Sequence, residues 1–108
     1  MLALVYKAPG RIILEDRLKP TIKMPTDVII KITKTTISGT DLHILKGNVA
    51  TCLPGTVMGH EGVGVVNTAG AAIINFKPGT RVLISSITAC GRCEFCRIGM
   101  GSHCTTGG

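Results

Sequence analysis

The chain has 108 residues, with 12 Lys and Arg against 6 Asp and Glu, for a formal net charge of +6. That length allows one small domain with a modest core. The basic residues are scattered and not interleaved with aromatics, which argues against a nucleic-acid partner. No apolar run reaches the length of a membrane span, and the start Met-Leu-Ala-Leu-Val-Tyr-Lys lacks the layout of a signal peptide. The expected setting is therefore the cytoplasm, with no membrane partner.

With 2 Phe, 1 Tyr and no Trp, packing falls to Val, Ile, Leu and Ala. Such β-branched content, with 14 Gly and 5 Pro, predicts short strands joined by turns. Leu2 to Lys7 reads as a strand, Ala8-Pro9-Gly10 as a turn, and Arg11 to Leu18 as its hairpin partner. Pro20 and Pro25 mark a connecting loop. Asp27 to Thr36 alternates with period two and is the clearest strand. Thr40 to Lys46 fits about two helical turns, with Ser38 or Thr40 as cap and Gly47 as stop. Residues 48 to 58 read as loop, Gly62 to Thr68 as a glycine-rich strand, and Arg81 to Ser86 as a last strand after the turn at Asn75–Thr80. There is no internal repeat.

Next comes the densest chemical signal. Cys90, Cys93, Cys96 and Cys104 follow the spacing C-x2-C-x2-C-x7-C. Four thiolates from one loop match a closed, tetrahedral, structural zinc site. Gly91, Gly99 and Gly101 are expected to turn that loop at positive φ. A disulfide pair or redox couple fits less well in a reducing compartment. Four thiolates with one zinc ion lower the net charge to roughly +4. Cys52 lies in a loop away from this cluster and reads as a free, small apolar side chain.

A second constellation is weaker. Gly59-His60-Glu61 precedes the glycine-rich strand, and Ser38-Gly39-Thr40-Asp41-Leu42-His43 gathers hydroxyls, a carboxylate and an imidazole. Asp41 can orient a metal-bound imidazole, and Thr40 with His43 can form a proton path. The alternative is that Asp41 and Thr40 only cap a helix.

Together these segments resemble the medium-chain, zinc-dependent alcohol dehydrogenases. Gly59-His60-Glu61-x2-Gly64-x5-Gly70 is similar to that family's zinc signature. The cysteine spacing is similar to its structural-zinc lobe, here 88–105, and Pro78-Gly79-Thr80-Arg81-Val82 to its turn before a strand. The resemblance implies a mainly β fold, a GroES-like partly open barrel, truncated, with one short helix and a structural-zinc loop. It makes residues 1–108 the N-terminal portion of a catalytic domain that a Rossmann domain would follow. It implies His60 as a catalytic-zinc ligand, Glu61 as an adjacent or alternate ligand, Thr40 as the hydroxyl beside the substrate oxygen, His43 as the outer relay and Asp41 as the group orienting His60. The parent reaction would oxidise a small alcohol, or reduce a carbonyl, with NAD or NADP.

The chain departs from that pattern. Ser38 stands where the first catalytic-zinc ligand, a cysteine, is expected. A neutral hydroxyl replaces a thiolate poorly, so catalytic zinc is expected to be weak or absent. No Gly-x-Gly-x-x-Gly turn opens a helix within a βαβ unit, so the Rossmann domain and its cofactor site are absent here. The end at Thr105-Thr106-Gly107-Gly108 reads as a truncation. The expectation is an inactive fragment. The rival is a zinc-stabilised module without catalysis that self-associates through open barrel edges.

Overall fold

A computed structural model describes residues 1–107. The elements, in chain order, are β1 (Leu2–Ala8), β2 (Arg11–Asp16), β3 (Val28–Thr35), α1 (Gly39–Leu45), β4 (Gly62–Ala69), β5 (Arg81–Ile84), the single-turn α2 (Glu94–Arg97) and a 3-10 turn at Gly101–His103. The expected strands and the expected helix are all present. The cysteine loop adds two helical turns that its short polar sequence did not announce. Two strands end early: β2 stops at Asp16 and β5 at Ile84. Pro20, which lacks an amide proton, stands just beyond β2.

β1 and β2 form an antiparallel hairpin, and β3, β4 and β5 form a three-stranded antiparallel sheet in that order. The two sheets do not close into a barrel among the described residues. The free edge of β1 is covered by residues 55–58. Tyr6 N donates to Thr56 O (2.9 Å), Gly55 N to Tyr6 O (2.8 Å) and Met58 N to Leu4 O (2.8 Å). The segment expected to be only loop thus lies along β1 like a short third strand, with Val57 bridging Val5.

Burial is sparse. Ala3, Val5 and Tyr6 of β1, Val66 of β4 and Cys104 are the buried apolar side chains. Alternation in β1 puts Ala3 and Val5 on one face, and Tyr6 is also buried. β4 is glycine-rich because its neighbours come close. A Cβ on Gly64 would lie 2.5 Å from the carbonyl oxygen of Lys31 on β3.

α1 is held at both ends. Ser38 caps its start, and the β1–β2 turn covers its finish: Gly10 N donates to Leu45 O (2.6 Å). The Pro9 ring occupies the space above Gly47, where a Cβ would meet it at 2.9 Å. No helix is long and apolar enough to cross a membrane among the described residues.

Candidate metal centre and the cleft beside it

The cysteine loop folds back so that its four sulfurs converge. Gly91 and Gly99 adopt positive φ (72° and 83°), as expected, whereas Gly101 does not and instead opens the 3-10 turn. Cys93 caps α2, its sulfur accepting from Cys96 N (3.5 Å). Cys90 N donates to Cys104 Sγ and Cys93 N to Cys90 Sγ, both at 3.3 Å. All four sulfurs lie within 4.8 Å of one another, with Cys90 and Cys96 at 4.0 Å. A tetrahedral zinc ion with Zn–S near 2.3 Å needs sulfurs about 3.8 Å apart. The four cysteines therefore fit a zinc ion, and backbone amides already point at the sulfurs that would carry its charge.

Those amides set the acidities. The amide of Cys96, then that of Thr105, draws the Cys93 thiol down to about 7. The amide of Cys90, helped by the hydroxyl of Thr106, lowers Cys104 to about 5. Burial, added to by the neighbouring sulfurs, pushes Cys96 up to about 11. Four neighbouring thiolates repel one another, and a divalent cation at their centre offsets that charge. Phe95 and His103 pack across the loop with ring centroids 6.0 Å apart, and Gly107 lies where a Cβ would sit 2.6 Å from Thr88 O. No motif in the sequence announces either contact.

The second constellation is assembled by β3 and β4. Thr35 pairs with Gly62, and Thr35 Oγ1 donates to Glu61 O (2.7 Å). The chain therefore leaves β3 into Ser38 and α1 beside the point where Gly59-His60-Glu61 enters β4. Gly59, at φ 101°, makes the turn from the β1 edge into that strand. Asp41, His60 and Glu61 line an open, largely apolar cleft of about 1670 Å³, with Leu42, Met58 and Ile30 among its walls. Thr40 and His43 are exposed on α1 and do not line the cleft.

Asp41 is the buried polar residue here, 9% exposed. Ser38 N and Ser38 Oγ donate to its Oδ2 at 2.8 and 3.0 Å. Asp41 N donates back to Ser38 Oγ at 3.4 Å, completing a capping box. Burial works to raise the Asp41 pKa. The Ser38 amide and hydroxyl, with His60 and the Gly59 amide beyond, outweigh it and hold the carboxyl below its usual range. Oδ1 is buried without a hydrogen-bond partner of good geometry among the described residues. His60 Nε2 lies 3.8 Å from Glu61 Oε1.

Among the described residues this donor set does not complete a zinc site. Ser38 offers a neutral hydroxyl whose proton goes to Asp41. Among the described residues the four cysteines are the one group of three or more His, Cys, Asp or Glu side chains that converges on a metal-sized space.

The fold and the cysteine centre agree with a match to known proteins. Residues 24–108 match the alcohol dehydrogenase GroES-like domain. The chain belongs to that family. A zinc-type alcohol dehydrogenase-like protein from Schizosaccharomyces pombe is 39% identical over 107 residues, covering 98% of this chain and 25% of its own length. The solved apo form of zinc dependent alcohol dehydrogenase 2 from Streptococcus pneumonia superposes with a TM-score of 0.95 at 50% identity, covering 100% of this chain and 31% of that one. A short chain alcohol dehydrogenase from E. coli CFT073, complexed with NADH, aligns at 29% identity and TM-score 0.78, over 100% of this chain and 31% of that one. This GroES-like chain thus spans about a quarter to a third of the length of these relatives. The mainly β fold with open sheets is the one its resemblance implied.

Proposed function

We propose that this chain is part of the catalytic domain of a zinc-type alcohol dehydrogenase and that it carries the structural zinc but no turnover of its own. The converging cysteines carry the reading, because four sulfurs spaced for one ion are what a structural zinc site requires. In the whole protein the reaction would be oxidation of a small alcohol, or reduction of a carbonyl, with NAD or NADP. The NADH held by a relative of similar fold supports that choice of cofactor class. Among the described residues there is no βαβ unit to bind it.

Within this site His60 and Glu61 would face the substrate from the cleft wall, with Asp41 behind them. Thr40 and His43, three residues apart on α1, share an exposed helix face outside the cleft lining, and would act as a proton path only where the whole protein extends the cleft to them. Zinc in the cysteine centre would hold the lobe's shape and take no part in proton transfer. An assay of the chain with a range of alcohols and both nicotinamide cofactors should give no rate above background, and metal analysis should give one zinc per chain. Measurable turnover, or no zinc, refutes this reading.

A second reading has its own support. The chain exposes 8050 Å², against about 5,700 Å² for a compact protein of this mass. Leu83, Ile74 and Leu14 are among its exposed apolar side chains. Such a surface favours self-association through the open sheet edges. Sedimentation over a concentration series tests this, and a strictly monomeric species counts against it.

A further inference from the structure

Ser38 occupies the place of a metal ligand, and its contacts give it a different task. Its amide and hydroxyl both reach Asp41 Oδ2 (2.8 and 3.0 Å), and the Asp41 amide reaches back to the hydroxyl (3.4 Å). The direction of the hydroxyl proton is decisive. A carboxylate can only accept, so the 3.0 Å contact requires a donor on residue 38. A thiolate at this position has no proton to give. It would set a second negative charge against the buried Asp41 carboxylate, an arrangement that needs a cation nearby to balance it. A serine hydroxyl removes that charge and supplies the missing donor.

We propose that Ser38 is a positioning residue whose hydroxyl and Asp41 form a metal-independent clasp, fixing the start of α1 beside the Gly59–Glu61 turn. The Asp41 carboxylate of the clasp also faces the Gly59 amide and His60, and so meets the chain that enters β4. Ser38 follows β3, and the Gly59–Glu61 turn precedes β4, with Thr35 Oγ1 bonded to Glu61 O between them. Asp41 is then held with Oδ2 bonded to Ser38 and Oδ1 buried. The local geometry that a cation would otherwise organise is kept by hydrogen bonds. This rests on the family reading given above for the meaning of position 38, but its test does not.

The experiment uses the zinc-loaded chain, with amide exchange read by NMR and zinc counted after incubation with excess zinc alone. Ser38→Ala should speed exchange at the Asp41 amide about five-fold, the usual scale for a lost cap. Ser38→Thr, which keeps the hydroxyl, should stay close to the unmodified chain. Val66 in β4 should exchange alike in all three, and each should hold one zinc. Equal protection at Asp41 in the Ala variant would overturn the clasp. So would a Thr variant as impaired as Ala, or a second zinc in the unmodified chain that His60→Ala abolishes. If the Ala variant loses protection in β4 as well, the Thr variant and the zinc count still decide. Failure of the four-cysteine reading is distinct, since it gives no zinc with the clasp intact.

Discussion

A glycine sets the spacing of β3 and β4 beside the cleft. A methyl group on Gly64 would meet Lys31 O at 2.5 Å and Ile30 Cγ2 at 2.6 Å, and the first of these is backbone that cannot rotate away. Gly64→Ala should therefore cost about 1–3 kcal/mol, measured by urea unfolding of the zinc-loaded chain. Thr106 works at the same scale in the lobe. Its Oγ1 lies 3.6 Å from Cys104 Sγ and can donate once that sulfur is a thiolate. Thr106→Val should weaken zinc binding by about tenfold, the lower range for a lost hydrogen bond to a ligand, as read by competition with a chelator of known affinity. Acid sensitivity also belongs here. Lys7 beside Glu15, the terminal ammonium beside Asp16, and the Met24 and Lys23 amides on Asp27 all hold carboxyls below their usual pKa values, as Ser38 does for Asp41. Folded pKa values below the unfolded ones mean that this stability is complete above about pH 4.5 and drains as pH falls through the lowered values. Amide protection in β1 and β2, which lie outside the thiol cluster that titrates at about 7 and 5, should be flat from neutral pH down to that point and fall below it.

The zinc lobe behaves as its own element. α2 and the 3-10 turn contact each other but make no more than slight contact with the strands. A strong chelator should therefore melt amide protection across 90–106 while β1 and β2 keep theirs, and exchange before and after chelation would show it. Protection lost everywhere at once would mean the lobe supports the sheets. The same separateness explains what could be read from the sequence. β3 is legible from its β-branched run, but the period-two burial expected of it is not there: Val28–Ile30 are half-buried, Lys31–Thr35 are exposed, and two register shifts against β4 break the alternation. The cysteine spacing is legible because metal geometry fixes it. Residues 55–58 hid as loop, since Gly55-Thr56-Val57-Met58 is too short to carry a period and its order comes from β1. α2 hid because its cap is a cysteine, a residue read for metal and not for helices. Ser38 was legible as a departure from a ligand pattern, and also as a candidate cap. Which of the two it performs needed the position of Asp41 Oδ2.

At the scale of the molecule, openness dominates. The radius of gyration is 15.2 Å, against about 13 Å for a compact chain of this length. Among the described residues β5 ends the three-stranded sheet with one edge unpaired, and Leu83 on it is 80% exposed. Leu83→Lys should lower any concentration-dependent association seen by sedimentation, since a charge on an edge strand opposes pairing. An unchanged association would place the contact elsewhere. The spacing of the thiols has a practical outcome. Four of the five cysteines are drawn into one centre, and Cys52 remains half-buried in the segment that runs on to His60. With zinc in place it is the thiol free to take a spin label or fluorophore. A probe attached there would sit a few residues upstream of the turn bearing His60 and report movements of the cleft wall without disturbing the zinc ligands.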